Sequence, residues 1–162
     1  MTLLCGLIVG VSLTVPVQAA LIDRGGGFIY DTDLDVTWTQ NANINGVADT
    51  WANQVAWADS LSLFDAVRNV TWSDWRLPTC LDNAVSSATC STSEMGHLFF
   101  GEGISTANPG PFIGMQTLGY MSGTEYAPDG SRAWHFHFNS GVHGESDKSQ
   151  QLLRLGRPYG RC

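Results

Sequence analysis

The chain has 162 residues, four cysteines and a formal net charge of −7, with 43% hydrophobic and 14% charged residues. That length and balance describe one folded domain with a core of its own and exclude a disordered chain. The acidic excess argues against nucleic acid, anionic membrane surfaces and sulfated polysaccharides as partners, since each needs clustered Lys and Arg.

An apolar run over residues 3–17 is followed by Val17-Gln18-Ala19-Ala20. Pro16 closes the run before it is long enough to span a bilayer, and the small residues after it suit signal cleavage after Ala19. Met1-Thr2-Leu3-Leu4 lacks the usual basic start of such a signal. The expected organisation is therefore a signal peptide at 1–19, a domain at 20–149 and an unusual tail at 150–162. The mature chain is expected to be exported (periplasmic, cell-surface or extracellular) with no membrane span.

Phe28-Ile29-Tyr30 and Val36-Thr37-Trp38-Thr39 predict two strands joined by the Asp-rich turn Asp31-Thr32-Asp33-Leu34-Asp35. Thr50 is the expected N-cap of a helix over 51–61, with Trp51, Val55, Ala58 and Leu61 on its apolar stripe. Ser91-x-x-Glu94 is a capping box for a second helix whose apolar face is Met95, Leu98 and Phe99. Residues 101–119, rich in Gly and Pro, predict a long ordered loop. Ala133-Trp134-His135-Phe136-His137-Phe138 alternates as a strand and turns at Asn139-Ser140-Gly141 into Val142-His143. No internal repeat is evident. The sum is a small α+β domain with two helices, short antiparallel strands and long loops.

Few constellations carry chemistry. Asp31-x-Asp33-x-Asp35 imitates a calcium loop, but an EF-hand needs Gly and Glu where Val36 and Ala42 stand, so the aspartates read as turn formers. His135 and His137 share one strand face, and His143 across the hairpin makes a three-histidine metal site geometrically conceivable; exposed polar alternation explains the pair equally well. Of the six tryptophans, Trp38, Trp51, Trp57, Trp75 and Trp134 fall at expected core positions. Trp72 and Tyr126 are left as aromatic platforms for a ligand. No nucleophile elbow, phosphate loop or zinc-protease motif is present, and no cofactor is implied.

Several of these strings occur in a familiar order: 28–38, then Thr50-Trp51-Ala52, then Asp74-Trp75-Arg76-Leu77-Pro78-Thr79 and Glu94-Met95, then Ser122-Gly123-Thr124-Glu125-Tyr126 and 133–141. Over residues 22–149 this order resembles the Lcl C-terminal domain family (the collagen-like-protein C-terminal domain, formerly grouped as a domain of unknown function), found in exported bacterial proteins. The resemblance implies a C-type-lectin-like fold related to sulfatase-modifying-factor domains. It also implies a non-catalytic binding or adhesion module for a glycan or surface protein. Alternatives are an extracytoplasmic enzyme on the related fold, or a purely structural surface domain. Trp72, Arg76, Glu125 and Tyr126 are the ligand-binding candidates. Arg76 reads first as a structural clasp paired with Glu94 or Glu125.

Two departures from the family pattern stand out. An insertion over 80–90 begins at Cys80 and ends at Cys90, and in an exported chain such a pair predicts a disulfide closing the loop. The family also closes with a strand resembling Tyr-x-Ala-Trp-Ala-Val-Arg-x-Gly, where this chain has an arginine-rich tail. One permitted set of codons for residues 150–162, read one base out of frame, gives Asn-Ser-Tyr-Ser-Ala-Trp-Ala-Val-Arg-Thr-Gly-Asp. The expectation is a frameshifted tail that leaves an open sheet edge and exposed core surface, and the nucleotide sequence decides it.

Overall fold

The computed structural model describes residues 21–80 and 93–158, which form a small α+β domain of antiparallel sheets and two short helices. The expected signal peptide, Ser91 and Cys90 lie outside the described residues. Three strands, β1 (Leu21–Asp23), β2 (Phe28–Asp31) and β3 (Val36–Thr39), make the first antiparallel sheet. Helix α1 (Trp51–Ser60) follows, then the hairpin β4 (Leu63–Asp65) and β5 (Val70–Trp72). After β6 (Trp75–Arg76) comes α2 (Glu94–Gly96), which continues directly into a π-helical turn, His97–Gly101. The last sheet is β7 (Tyr120–Glu125), β8 (Arg132–Phe136) and β9 (His143–Asp147), and β10 (Arg157–Pro158) pairs with β6. Among the described residues no helix is long and apolar enough to cross a membrane.

The β2–β3 turn is organised by one buried carboxylate. Asp31 is 1% exposed; its Oδ1 accepts the N–H groups of Asp33 and Leu34, both at 3.1 Å, and its Oδ2 accepts Trp38 Nε1 at 3.4 Å. Asp35 then turns the chain at φ +52°, in the left-handed region that Asp and Asn tolerate best.

The β4–β5 hairpin repeats this arrangement, so the expectation of no internal repeat is corrected. Asp65, also 1% exposed, accepts the N–H groups of Val67 and Arg68 and the Trp72 indole N–H, and Asn69 sits at φ +53°. The shared string is Asp-x-x-x-Asp/Asn-Val-Thr-Trp at 31–38 and 65–72. It escapes a periodicity search because only five positions carry it, four of them identical.

The main core lies between the first and last sheets and gathers Ile29, Trp38, Met95, Leu98, Tyr120 and Phe136. The long loop contributes Ile104 and Phe112 and is tied to the first sheet by a bridge between Asn41 and Ile113. The turn after β8 requires Gly141: its φ is +72°, and a Cβ there would stand 2.6 Å from the Phe99 ring. α2 is capped by Ser93, whose Oγ accepts the Gly96 N–H at 3.4 Å; its N-cap is therefore not Ser91.

The core surface expected to lie exposed beside the tail is instead covered, which corrects that expectation. Residues 152–156 are buried, and Leu152, Leu153 and Leu155 pack into the core. Leu152 bridges Asp49, Leu153 bridges Tyr120, and the Gly156 carbonyl accepts the Thr39 N–H at 3.0 Å. A leucine-rich segment supplies the apolar area that closing the core requires, whatever codons encode it.

Candidate functional site

The most specific sequence string builds a clasp. Trp75 and Leu77, each 3% exposed, point into the core, which turns Arg76 between them toward α2. Its guanidinium meets both carboxylate oxygens of Glu94, Nη2 to Oε1 at 2.6 Å and Nη1 to Oε2 at 3.0 Å. Glu94 Oε2 also accepts the Thr79 N–H at 2.8 Å, and Arg76 Nη1 donates to the Leu77 carbonyl at 2.7 Å. This bidentate geometry settles the partner as Glu94. Glu125 instead holds Lys148 at 2.5 Å.

Beside the clasp an open groove of about 480 Å³ runs between α1 and residues 75–79. Trp51, Val55 and Leu77 give it apolar area, and Asp59, Arg76 and Thr79 are polar points along it. Trp51 is fixed there: its indole N–H donates to the Ser122 carbonyl at 2.9 Å, and Lys148 Nζ lies 4.3 Å over its ring. The lining includes no histidine or cysteine among the described residues. Apolar walls with a few fixed polar groups suit reversible binding.

Of the four ligand-binding candidates, only Arg76 lines this groove. Trp72 is half-buried and bonded to Asp65, so it is no open platform. Tyr126 packs edge-on against Trp134, with ring centroids 5.4 Å apart. Glu125 is exposed at the end of β7. Sequence reasoning assigned Trp51 to the core, yet it is half-buried at the groove; an amphipathic helix stripe does not distinguish a core edge from a cleft wall.

The three histidines of the hairpin do not converge. His135 and His137 share a face, with centroids 5.1 Å apart. His143 is the register partner of Phe136 and stacks on its ring at 6.0 Å, on the opposite face. Cross-strand partners share a face, so the hairpin register itself separates the third imidazole from the pair. Burial, reinforced by the neighbouring His137, lowers the His135 imidazole to about 4, and Ser146 Oγ lies 3.0 Å from its Nδ1.

A different imidazole stands among carboxylates. His97, Glu102 and Asp33 each offer a ligand atom, all within 4.8 Å of one another. Burial, then the Asp31 and Asp33 charges, raise the Glu102 carboxyl above its ordinary range, against the lowering influence of His97. Neither His97 nor Glu102 was legible as a site residue: they are five apart, which no helical or strand period brings together. Cys80 is buried, and its expected partner Cys90 lies outside the described residues. Comparison of the chain with models of known protein families, with curated proteins and with solved structures finds no match.

Proposed function

We propose that this chain is an exported, non-catalytic binding or adhesion module of lectin-like fold that holds its ligand in the groove between α1 and the Arg76 clasp. The Cys80–Cys90 bridge belongs to the same reading, as a staple for an insertion in an oxidising compartment. The observation that carries it is the groove itself: an open cleft of about 480 Å³ whose Arg76 is held in place by Glu94. A pre-organised guanidinium beside aromatic and aliphatic walls suits the hydroxyl and carbonyl acceptors of a neutral glycan or a peptide segment. The net charge of −7 disfavours a polyanion.

The test is a glycan array, with each hit measured again on Ala56→Trp. Ala56 is an exposed groove residue of α1, so the substitution fills the cleft without entering the core. Binding should weaken by roughly tenfold or more, about 1.4 kcal/mol, with an unchanged melting temperature. A hit whose affinity survives Ala56→Trp would place the ligand elsewhere.

A further inference from the structure

The π-helical turn has a chemical consequence independent of the groove. In an α-helix, residues five apart are rotated about 140° from one another. Here the Glu102 N–H bonds back to the His97 carbonyl at 3.0 Å, so the wider turn brings residues 97 and 102 side by side. His97 Nε2 and Glu102 Oε1 face each other at 3.3 Å. The Glu102 side chain is only 4% exposed. Both facing atoms are shielded from solvent, and neither makes a hydrogen bond.

The pair stands at ion-pair distance without hydrogen-bond geometry, and in a buried setting such a contact only partly replaces the water that both atoms lose, which leaves a cost. A cation between them removes the cost. Ligand atoms around a tetrahedral ion at 2.0–2.1 Å are about 3.3 Å apart, which is the separation of this pair. The third ligand, Asp33, is exposed and reaches the cluster from the β2–β3 turn. That turn is rigid because Asp31 spends its oxygens on Asp33 N–H, Leu34 N–H and Trp38 Nε1. Asp31 Oδ1 lies 3.5 Å from His97 Nε2 and adds negative charge beside the ligands. Gly101 makes room for the imidazole: a Cβ there would stand 3.1 Å from His97 Nδ1.

We propose that Asp33, His97 and Glu102 form a site for a divalent transition-metal ion of the zinc class, with its open coordination position on the solvent side beside Asp33. One imidazole nitrogen with two carboxylates is a borderline donor set that suits Zn²⁺ or Mn²⁺; Ca²⁺ takes six to eight oxygens and has no use for the imidazole. The ion would join the β2–β3 turn, which carries Asp33, to the π-helical turn, which carries His97 and Glu102.

The full chain, freed of metal by chelation, is titrated with ZnCl₂ by calorimetry and assayed for bound metal by mass spectrometry. The expected result is one equivalent of Zn²⁺, weakened by roughly tenfold or more in His97→Ala and Glu102→Gln. The double variant His135→Ala/His137→Ala should bind as the wild type does. Because His97→Ala could unfold the turn, the imidazole resonances of the wild-type chain are followed as Zn²⁺ is added. Shifts at His97, with His135, His137 and His143 unmoved, are expected. Absence of Zn²⁺ binding, binding unchanged in both His97→Ala and Glu102→Gln, shifts at the other histidines instead, or a preference for Ca²⁺ over Zn²⁺ would each overturn the assignment.

Discussion

Arg76 and Glu94 show what a single pair does when its geometry is fixed from both sides. Their side chains are 23% and 15% exposed, and Glu94 also receives the Thr79 N–H. Glu94→Gln keeps the shape and removes the charge, so the expected loss is about 1–3 kcal/mol in urea unfolding. Arg76 was legible as a clasp because apolar Trp75 and Leu77 bracket it. The choice between Glu94 and Glu125 was not legible, since it depends on the long-range docking of the α2 start against residues 76–79. His135 gives a second prediction at this scale. Its folded value of about 4 lies below the ordinary 6.5, so between those limits the unfolded chain takes a proton that the folded chain refuses. Stability is therefore complete above pH 6.5 and falls as pH drops toward 4. A loss on the order of 1–2 kcal/mol between pH 7 and 4.5 is expected, absent in His135→Gln; melting curves across that range check it.

Helix α1 was placed to within a residue by its apolar spacing, but the reason it docks lies in a polar residue. Gln54 is 0% exposed, and its Nε2 donates to the Asp49 carbonyl at 2.6 Å and the Leu152 carbonyl at 2.7 Å. The helix is thereby sewn to the C-terminal segment. Gln54→Leu should cost about 1–2 kcal/mol despite its gain in hydrophobicity, because it removes two hydrogen bonds, although each carbonyl keeps the backbone N–H of the Asp49–Leu152 bridge. Denaturant unfolding of that variant checks it. Thr50 occupies the N-cap position, yet its side chain makes no capping bond. Asp49 serves the helix start instead, accepting Thr50 N–H and Asn53 Nδ2, both at 2.8 Å. Those two bonds, the Asn53 one foremost, hold its carboxyl below the usual range. The π-helical turn was invisible for a different reason: its apolar residues fit a 3.6-residue period, and only the placement of Glu102 reveals the extra residue in the turn.

At the scale of the whole molecule, the segment expected from sequence as a frameshifted tail that leaves core surface exposed instead buries residues 152–156. Composition draws attention to the three added arginines, whereas Leu152, Leu153 and Leu155 decide the packing. Arg154 is the misfit. Its side chain is 3% exposed, Asp49 stands 3.9 Å away, Trp57 lies 4.5 Å beneath the guanidinium, and its Nε has no hydrogen bond. Burial lowers its basicity further. Arg154→Met should be neutral or stabilising by about 1–2 kcal/mol, since Asp49 keeps its own hydrogen bonds when the cation leaves; calorimetric melting reads the sign. A chain stopped after Ser149 should lose its cooperative melting transition and bind a hydrophobic dye, as an uncovered core does. The same segment bonds to partners at sequence separations of 98 and 117 residues. Such contacts repay their loop-closure entropy only once every intervening sheet stands in place. The local hairpins are therefore expected to form before residues 152–156 dock, and that docking is expected to limit the folding rate, which stopped-flow refolding of Leu153→Ala would read.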